Sequence, residues 1–359
     1  MNNSSLRTAL LLILVSISLF ASWQGVASSY AASDNYGYIG LSSLLEPPPD
    51  EAVPVLAPEP GSSLPPEGIA AAADKSRWAL SVIHALPSTL NAPDVAPVLV
   101  AVLDTGIDKG HPDLAGRVVA EVDLSRSGSP ADVFGHGTPI AGIIAANAEN
   151  DLGIAGLAPE SRLVNIKVAD DSGRCQISRL IDGIYRAVDA GAKVINISIQ
   201  FSETAPGLEE AVNYAWNNGA VIIAAAGNDG SAAPVYPASY ENCIAVTAVQ
   251  ENGALAPLAN HGDWVDVAAP GLDIYSTLPG DSYGYKHGTS FAAAYVSGLA
   301  SLLFTFAADT NGDGNLNDEV RRAIEAGCDV IDIDGTGKGR INVALSVAEL
   351  LLDIGSAGD

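Results

Sequence analysis

Basic side chains are scarce in this 359-residue chain, with 17 Lys and Arg against 42 Asp and Glu and a formal net charge of −25. A surface of that sign repels phosphate backbones and anionic headgroups, which argues against a nucleic-acid partner or a hold on acidic membranes. The acidity itself fits plain solubility, a saline setting or a calcium-rich one. Cysteine is nearly as rare. The 3 residues, Cys175, Cys243 and Cys328, allow at most one internal bridge and one spare thiol, as suits an exported chain. No C-x-x-C or H-E-x-x-H spacing occurs, which removes the common zinc arrangements. No internal repeat of fixed period and no second folded domain is evident. The apolar run Ala9–Phe20 falls short of the about 20 residues that a bilayer span needs.

That run follows Arg7 and precedes small residues through Ala27, Ser28, Ser29, Ala31 and Ala32. The pattern predicts a secretory signal peptide over residues 1–31, hence an extracellular protein without stable membrane association once the signal is removed. Retention of the run as an anchor is the alternative. Residues 32–76 carry Pro47, Pro48, Pro49, Pro54, Pro58, Pro60, Pro65 and Pro66. Proline at that density removes backbone donors and blocks helices, so this stretch reads as a linker without a folded prodomain.

Past Trp78 the pattern changes. Val98–Leu103, Leu163–Val168, Val194–Ile199, Val221–Ala226 and Ile244–Val249 are nearly continuous apolar runs, as expected of strands buried on both faces of a parallel sheet. Helical candidates lie between and after them, at Thr138–Ala148, Ile177–Ala190, Gly207–Asn217 and Ser290–Phe306. The alternation predicts a three-layer α/β/α domain with a mostly parallel central sheet. Hydrophobic content of 48% supplies its core, and the 36 glycines its tight turns.

Three distant stretches each offer one member of a hydrolytic triad. Asp104, in Val102-Leu103-Asp104-Thr105-Gly106, ends an apolar strand, where ligands of open parallel sheets collect. His136 lies between glycines ahead of a helical run, and Ser290 opens another in Gly288-Thr289-Ser290-Phe291-Ala292. Taken singly, these are a turn aspartate, a loop histidine and a helix cap. Together they supply what a serine hydroxyl lacks: an imidazole to take its proton and a carboxylate to orient that imidazole. Aspartic-protease chemistry also uses an apolar-Asp-Thr-Gly turn but needs two carboxylates. The tripeptide occurs once, so a homodimer would have to provide the second. Asn228, after the strand in Ala226-Gly227-Asn228-Asp229-Gly230, is either a turn residue or an amide donor to a developing oxyanion.

The order Asp, His, Ser and these surroundings resemble the subtilisin-like serine peptidases, the subtilase family. The resemblance runs from about Trp78 to Leu352 and includes His111-Pro112-Asp113-Leu114, Gly153-Ile154-Ala155-Gly156, Tyr236-Pro237-Ala238 and Ala269-Pro270-Gly271. It implies a subtilisin-like fold for residues 77–352, a flexible tail at 353–359 and a secreted serine endopeptidase acting on protein or peptide substrates. Ser290 is then the nucleophile, His136 the general base and then acid, and Asp104 its orienter. Asn228 and the Ser290 amide form the oxyanion hole, and no cofactor is needed for the chemistry. Substrate is expected as an added strand between Ser198-Ile199-Gln200 and the segment holding Gly173 and Arg174.

Departures from the family pattern include Gln200 and Phe201, which stand where two glycines usually wall the S1 pocket; they are expected to narrow it. Pro139 stands where a histidine is common, and Ala294-Tyr295 replace a usual Pro-His. Cysteines placed similarly to Cys243 and Cys328 are paired in proteinase K-like subtilases, which implies a disulfide between them and a free Cys175. Asp309, Asn311 and Asp313, with Gly314 in the sixth place, open like a calcium loop, but Val320 holds the twelfth place and Glu319 the eleventh. This segment, residues 309–319, is either a structural calcium site or a polar turn into a helix capped by Asn317. Two rival functions are a catalytically silent peptide-binding relative and a membrane-anchored scaffold.

Overall fold

The computed structural model describes residues 78–85, 96–148, 150 and 153–357. The expected signal peptide and Pro-rich linker lie outside them. Nine strands form the main sheet: β1 (Leu99–Asp104), β2 (Val118–Asp123), β3 (Arg162–Lys167), β4 (Val194–Ile197), β5 (Val221–Ala225), β6 (Cys243–Val249), β7 (Val267–Pro270), β10 (Cys328–Asp329) and β11 (Arg340–Ile341). A separate hairpin pairs β8 (Ile274–Leu278) with β9 (Ser282–Lys286). The sheet order is β10-β11-β7-β6-β5-β4-β1-β3-β2, parallel except for the β10–β11 pair. The helices include α1 (Gly137–Ala145), α2 (Ile177–Asp189), α3 (Pro206–Asn217), α4 (Thr289–Phe304), α5 (Asn317–Ala326) and α6 (Val343–Ala357).

Alternation along the strands divides the core between two faces. On β1, Val100 and Val102 join the apolar cluster under α1 and α4, whereas Ala101 and Leu103 join the one under α2 and α3. That is the three-layer arrangement, and it is why both faces of these strands are apolar. On α2, Leu180, Ile184 and Ala187 recur at helical spacing and are buried. All 16 residues of α4 are buried, so this helix runs through the interior with Ser290 in its first turn. The chain places β3 on one side of β1 and β4 on the other. The carboxyl end of β1 therefore sits at the sheet's switch point, where such folds form their crevice.

Three expectations change. The thiols of Cys175, Cys243 and Cys328 are all free. Cys243 is on β6 and Cys328 on β10, three strand steps apart; at ~4.8 Å per step this is about 14 Å, against the under ~7 Å between Cα atoms that a disulfide tolerates. Asn317 is not a cap: Leu316 holds that position, and Asn317 Nδ2 donates to the Trp216 carbonyl at 3.1 Å. Helix α6 continues to Ala357, into the segment expected as a flexible tail, with Leu350 and Ile354 packed on the core. Among the described residues, no helix is long and apolar enough to cross a membrane.

Candidate active site

Asp104 ends β1 fully buried, and its carboxylate faces His136 Nδ1 at 2.8 and 3.0 Å. A carboxylate here accepts, so Nδ1 carries the hydrogen and Nε2 presents its lone pair. Oδ1 also accepts the Thr105 N–H at 2.7 Å. His136 precedes α1 as its cap residue. The ring of Phe291, the residue after Ser290, lies 5.6 Å from the imidazole, centroid to centroid. Nε2 is buried and has no hydrogen-bond partner, so no bond to Ser290 is formed in this state. Catalytic hydrogen bonds often tighten only with substrate in place.

Ser290 is held from several sides. Gly288 caps α4 at φ 140°, a backbone conformation suited to glycine. Behind Ser290, Ser297 Oγ donates to Asn196 Oδ1, Asn196 Nδ2 donates to Ser198 Oγ, and Ser198 Oγ donates to the Ser290 carbonyl. Asn228 lies just past β5, and its Oδ1 accepts the Thr289 N–H at 2.8 Å. That bond assigns the oxygen end of the amide to α4 and leaves donation to Nδ2. Thr289 Oγ1 in turn accepts the Gly227 N–H at 3.0 Å. A small cleft is lined by Ser198, Ile199, Gln200, Gly227, Asn228 and Ser290, with Ala225 and Thr289.

Ser198, Ile199 and Gln200 thus reach the cleft, but Phe201 does not. Phe201 exchanges backbone hydrogen bonds with Tyr236 and packs against the α2–α3 side of the core. Gly173 and Arg174 are not among the lining residues. They close a turn in which the Gly173 N–H bonds the Asp170 carbonyl and the Arg174 N–H bonds Asp170 Oδ1.

Sequence reasoning overlooked Asp132, whose carboxylate gathers the turns around Asp104 and His136. Asp132 Oδ1 accepts Thr105 Oγ1 at 2.8 Å and the Gly135 N–H at 2.7 Å. Its Oδ2 accepts the Thr138 N–H at 2.9 Å and Thr138 Oγ1 at 2.7 Å. One carboxylate therefore ties the turn after Asp104 to both sides of His136. Lys167, fully buried at the end of β3, donates to the carbonyls of Thr105 and Ala131 and pairs with Asp171 at 2.8 Å. A lysine inside the largely apolar 163–168 run was the available signal, since such a charge stays buried only when paired or hydrogen-bonded.

The 309–319 loop lies by the amino end of β5, with Asn315 against Gly219, opposite the end that leads to Asn228. Asp309 accepts the N–H groups of Gly312 and Gly314, Asn311 that of Asp313, and Asp313 that of Asn315. Among the described residues, no three His, Cys, Asp or Glu side chains converge as a metal site. Two acidic side chains of α5 nevertheless reach back into the loop: Glu319 accepts from Thr310, and Asp318 from Asn311. Glu319 Oε2 and Asp318 Oδ1 are buried without donors. Burial, then the adjoining Glu319, push the Asp318 carboxyl above its ordinary range, so the pair is disposed to take up a proton or a cation.

A profile of the Subtilase family matches residues 96–327. A thermophilic serine proteinase from a Bacillus species is 47% identical over 248 residues, covering 68% of this chain and 60% of that protein. Thermitase of Thermoactinomyces vulgaris is 43% identical over 251 residues, 69% of this chain and 88% of its own. A subtilisin of Bacillus pumilus is 42% identical over 212 residues, covering 58% of this chain and 77% of that protein.

Proposed function

The chain belongs to the subtilase family of serine endopeptidases, and we propose that it hydrolyses peptide bonds in proteins or peptides through an acyl-enzyme on Ser290. The observation that carries this reading is the bond from His136 Nδ1 to buried Asp104, which leaves Nε2 as a partnerless base in the Ser290 region. Substrate would bring its scissile carbonyl over Ser290. Nε2 takes the hydroxyl proton as Oγ attacks, and Asp104 stabilises the imidazolium that forms. The oxyanion is met by Asn228 Nδ2 and the Ser290 amide. His136 then returns the proton to the leaving amine, and water repeats the sequence to release the acid. The 198–200 edge would bind substrate backbone; Gly173 and Arg174 stay candidates for its other side. A burst of about one nitrophenolate per chain from an activated ester, lost in Ser290→Ala, is the expected kinetic signature; a steady rate without a burst, unchanged by the substitution, would contradict it.

The Ala9–Phe20 run supports export behind a signal peptide, and a mass for the exported chain that still includes residues 1–31 would refute it. The net charge of −25 supports a protein rather than a nucleic-acid partner. A structural calcium ion on Asp309, Asn311 and Asp313 is favoured by the orphaned oxygens of Glu319 and Asp318. Its role would be to brace this loop, apart from the chemistry.

A further inference from the structure

Gln200 stands on the wall of the Ser290 cleft, and its Nε2 donates to Asp229 Oδ2 at 2.8 Å. Because the carboxylate only accepts, the amide is oriented with Oε1 turned inward. There Oε1 is buried and has no donor. A Cβ built on Gly227 would meet this oxygen at 1.9 Å and Gln200 Cδ at 3.0 Å. The Gln200 amide therefore lies directly on the Gly227 backbone, in the space between the 198–200 edge and the end of β5. Gly227 itself, at φ 99°, accepts no side chain.

We infer that Gln200, clamped by Asp229, plugs the pocket beside Ser290 and restricts the substrate residue on the acyl side of the cleaved bond to glycine, alanine or serine. The inference rests on Ser290 being the nucleophile. A long or aromatic side chain entering this space has to lift the amide from Gly227 and break its bond to Asp229. A methyl or hydroxymethyl group does neither.

The test is a set of tetrapeptide nitroanilides differing only in the last residue, Ala, Ser or Phe, with active sites titrated by a serine-directed phosphonate. In the unmodified enzyme, kcat/KM for Ala and Ser exceeds that for Phe by at least about tenfold, the scale on which a misfitting group is rejected by a pocket. Gln200→Gly raises the Phe-to-Ala ratio by at least about tenfold, and Asp229→Ala raises it by a smaller factor because the plug stays but loses its clamp. Should Gln200→Gly fail to fold, Gln200→Ala reads the same ratio. A preference for Phe in the unmodified enzyme, or a ratio unmoved in titratable Gln200 variants, overturns the inference. An unmodified enzyme that hydrolyses the substrates yet does not titrate with the phosphonate condemns the Ser290 assignment, and the inference with it.

Discussion

The two sides of the site are built differently. Around Asp104 and His136 nearly every polar atom has a partner inside the protein: Asp132 holds four donors, and Lys167 fixes the carbonyls of Thr105 and Ala131. On the Ser290 side, His136 Nε2 is buried and unpartnered, and Gln200 Oε1, turned against Gly227, has no donor. The contrast teaches a division of labour. The part that must hold charge is organised in advance by the fold, where reorganisation would cost rate. The part that must accept a ligand keeps an unpartnered base, beside a side chain that limits what enters.

Substitutions on the two sides should therefore fail differently. Ser290→Ala should lower kcat by about 10⁶ with melting unchanged within a few degrees, since the hydroxyl supports no structure; near-normal turnover would break the comparison at once. Asn228→Ala should cost about 10² to 10³ in kcat, the order expected for loss of one oxyanion donor, with little change in KM. Asp132→Asn presents amide hydrogens to donors and is expected to reduce kcat roughly 10- to 100-fold through misalignment, with KM nearly constant and the melting temperature lowered. If it lowers the melting temperature but spares kcat, Asp132 supports the fold and not the alignment.

Two smaller effects lie away from the cleft. Calcium at 100 times its dissociation constant should raise the melting temperature by roughly 5–10 °C over a chelated sample, and Asp313→Ala should abolish the increment; equal melting with and without calcium removes the ion. Burial pushes the thiols of Cys175 and Cys328 up to about 12 and that of Cys243 higher still. The thiolate is the reactive form, so near pH 8 only about one thiol in ten thousand at Cys175 or Cys328 is competent. Native protein should then resist alkylation, becoming more reactive as pH rises. Denatured, unreduced protein should titrate three thiols, whereas one would restore the Cys243–Cys328 bridge.

The buried parts of this molecule were the most legible in its sequence. Strands β1, β3, β4, β5 and β6 and helices α1 to α4 fall within a few residues of their expected bounds, because burial on both faces gives the strands nearly continuous apolar runs and one-sided burial gives α2 its helical spacing. The edge strand β2 is largely exposed, with Val119 55% accessible, and β10 and β11 have two residues each; neither leaves a pattern. The segments holding Asp104, His136, Ser290 and Asn228 stood out because each sits at the end of a strand or the start of a helix with glycine near it. Asp132 did not, since its work is to accept hydrogen bonds from residues distant in sequence. The direction of Gln200 and Phe201 was equally hidden: adjacent residues on extended backbone point to opposite sides, and only Gln200 meets the cleft.

The most direct trial of the central claim is mass spectrometry after reaction with a serine-directed phosphonate. One adduct per chain is expected, on the peptide containing Ser290, absent in Ser290→Ala and formed far more slowly in His136→Ala. Equal labelling of the unmodified and Ser290→Ala chains would mean that the reactive hydroxyl lies elsewhere.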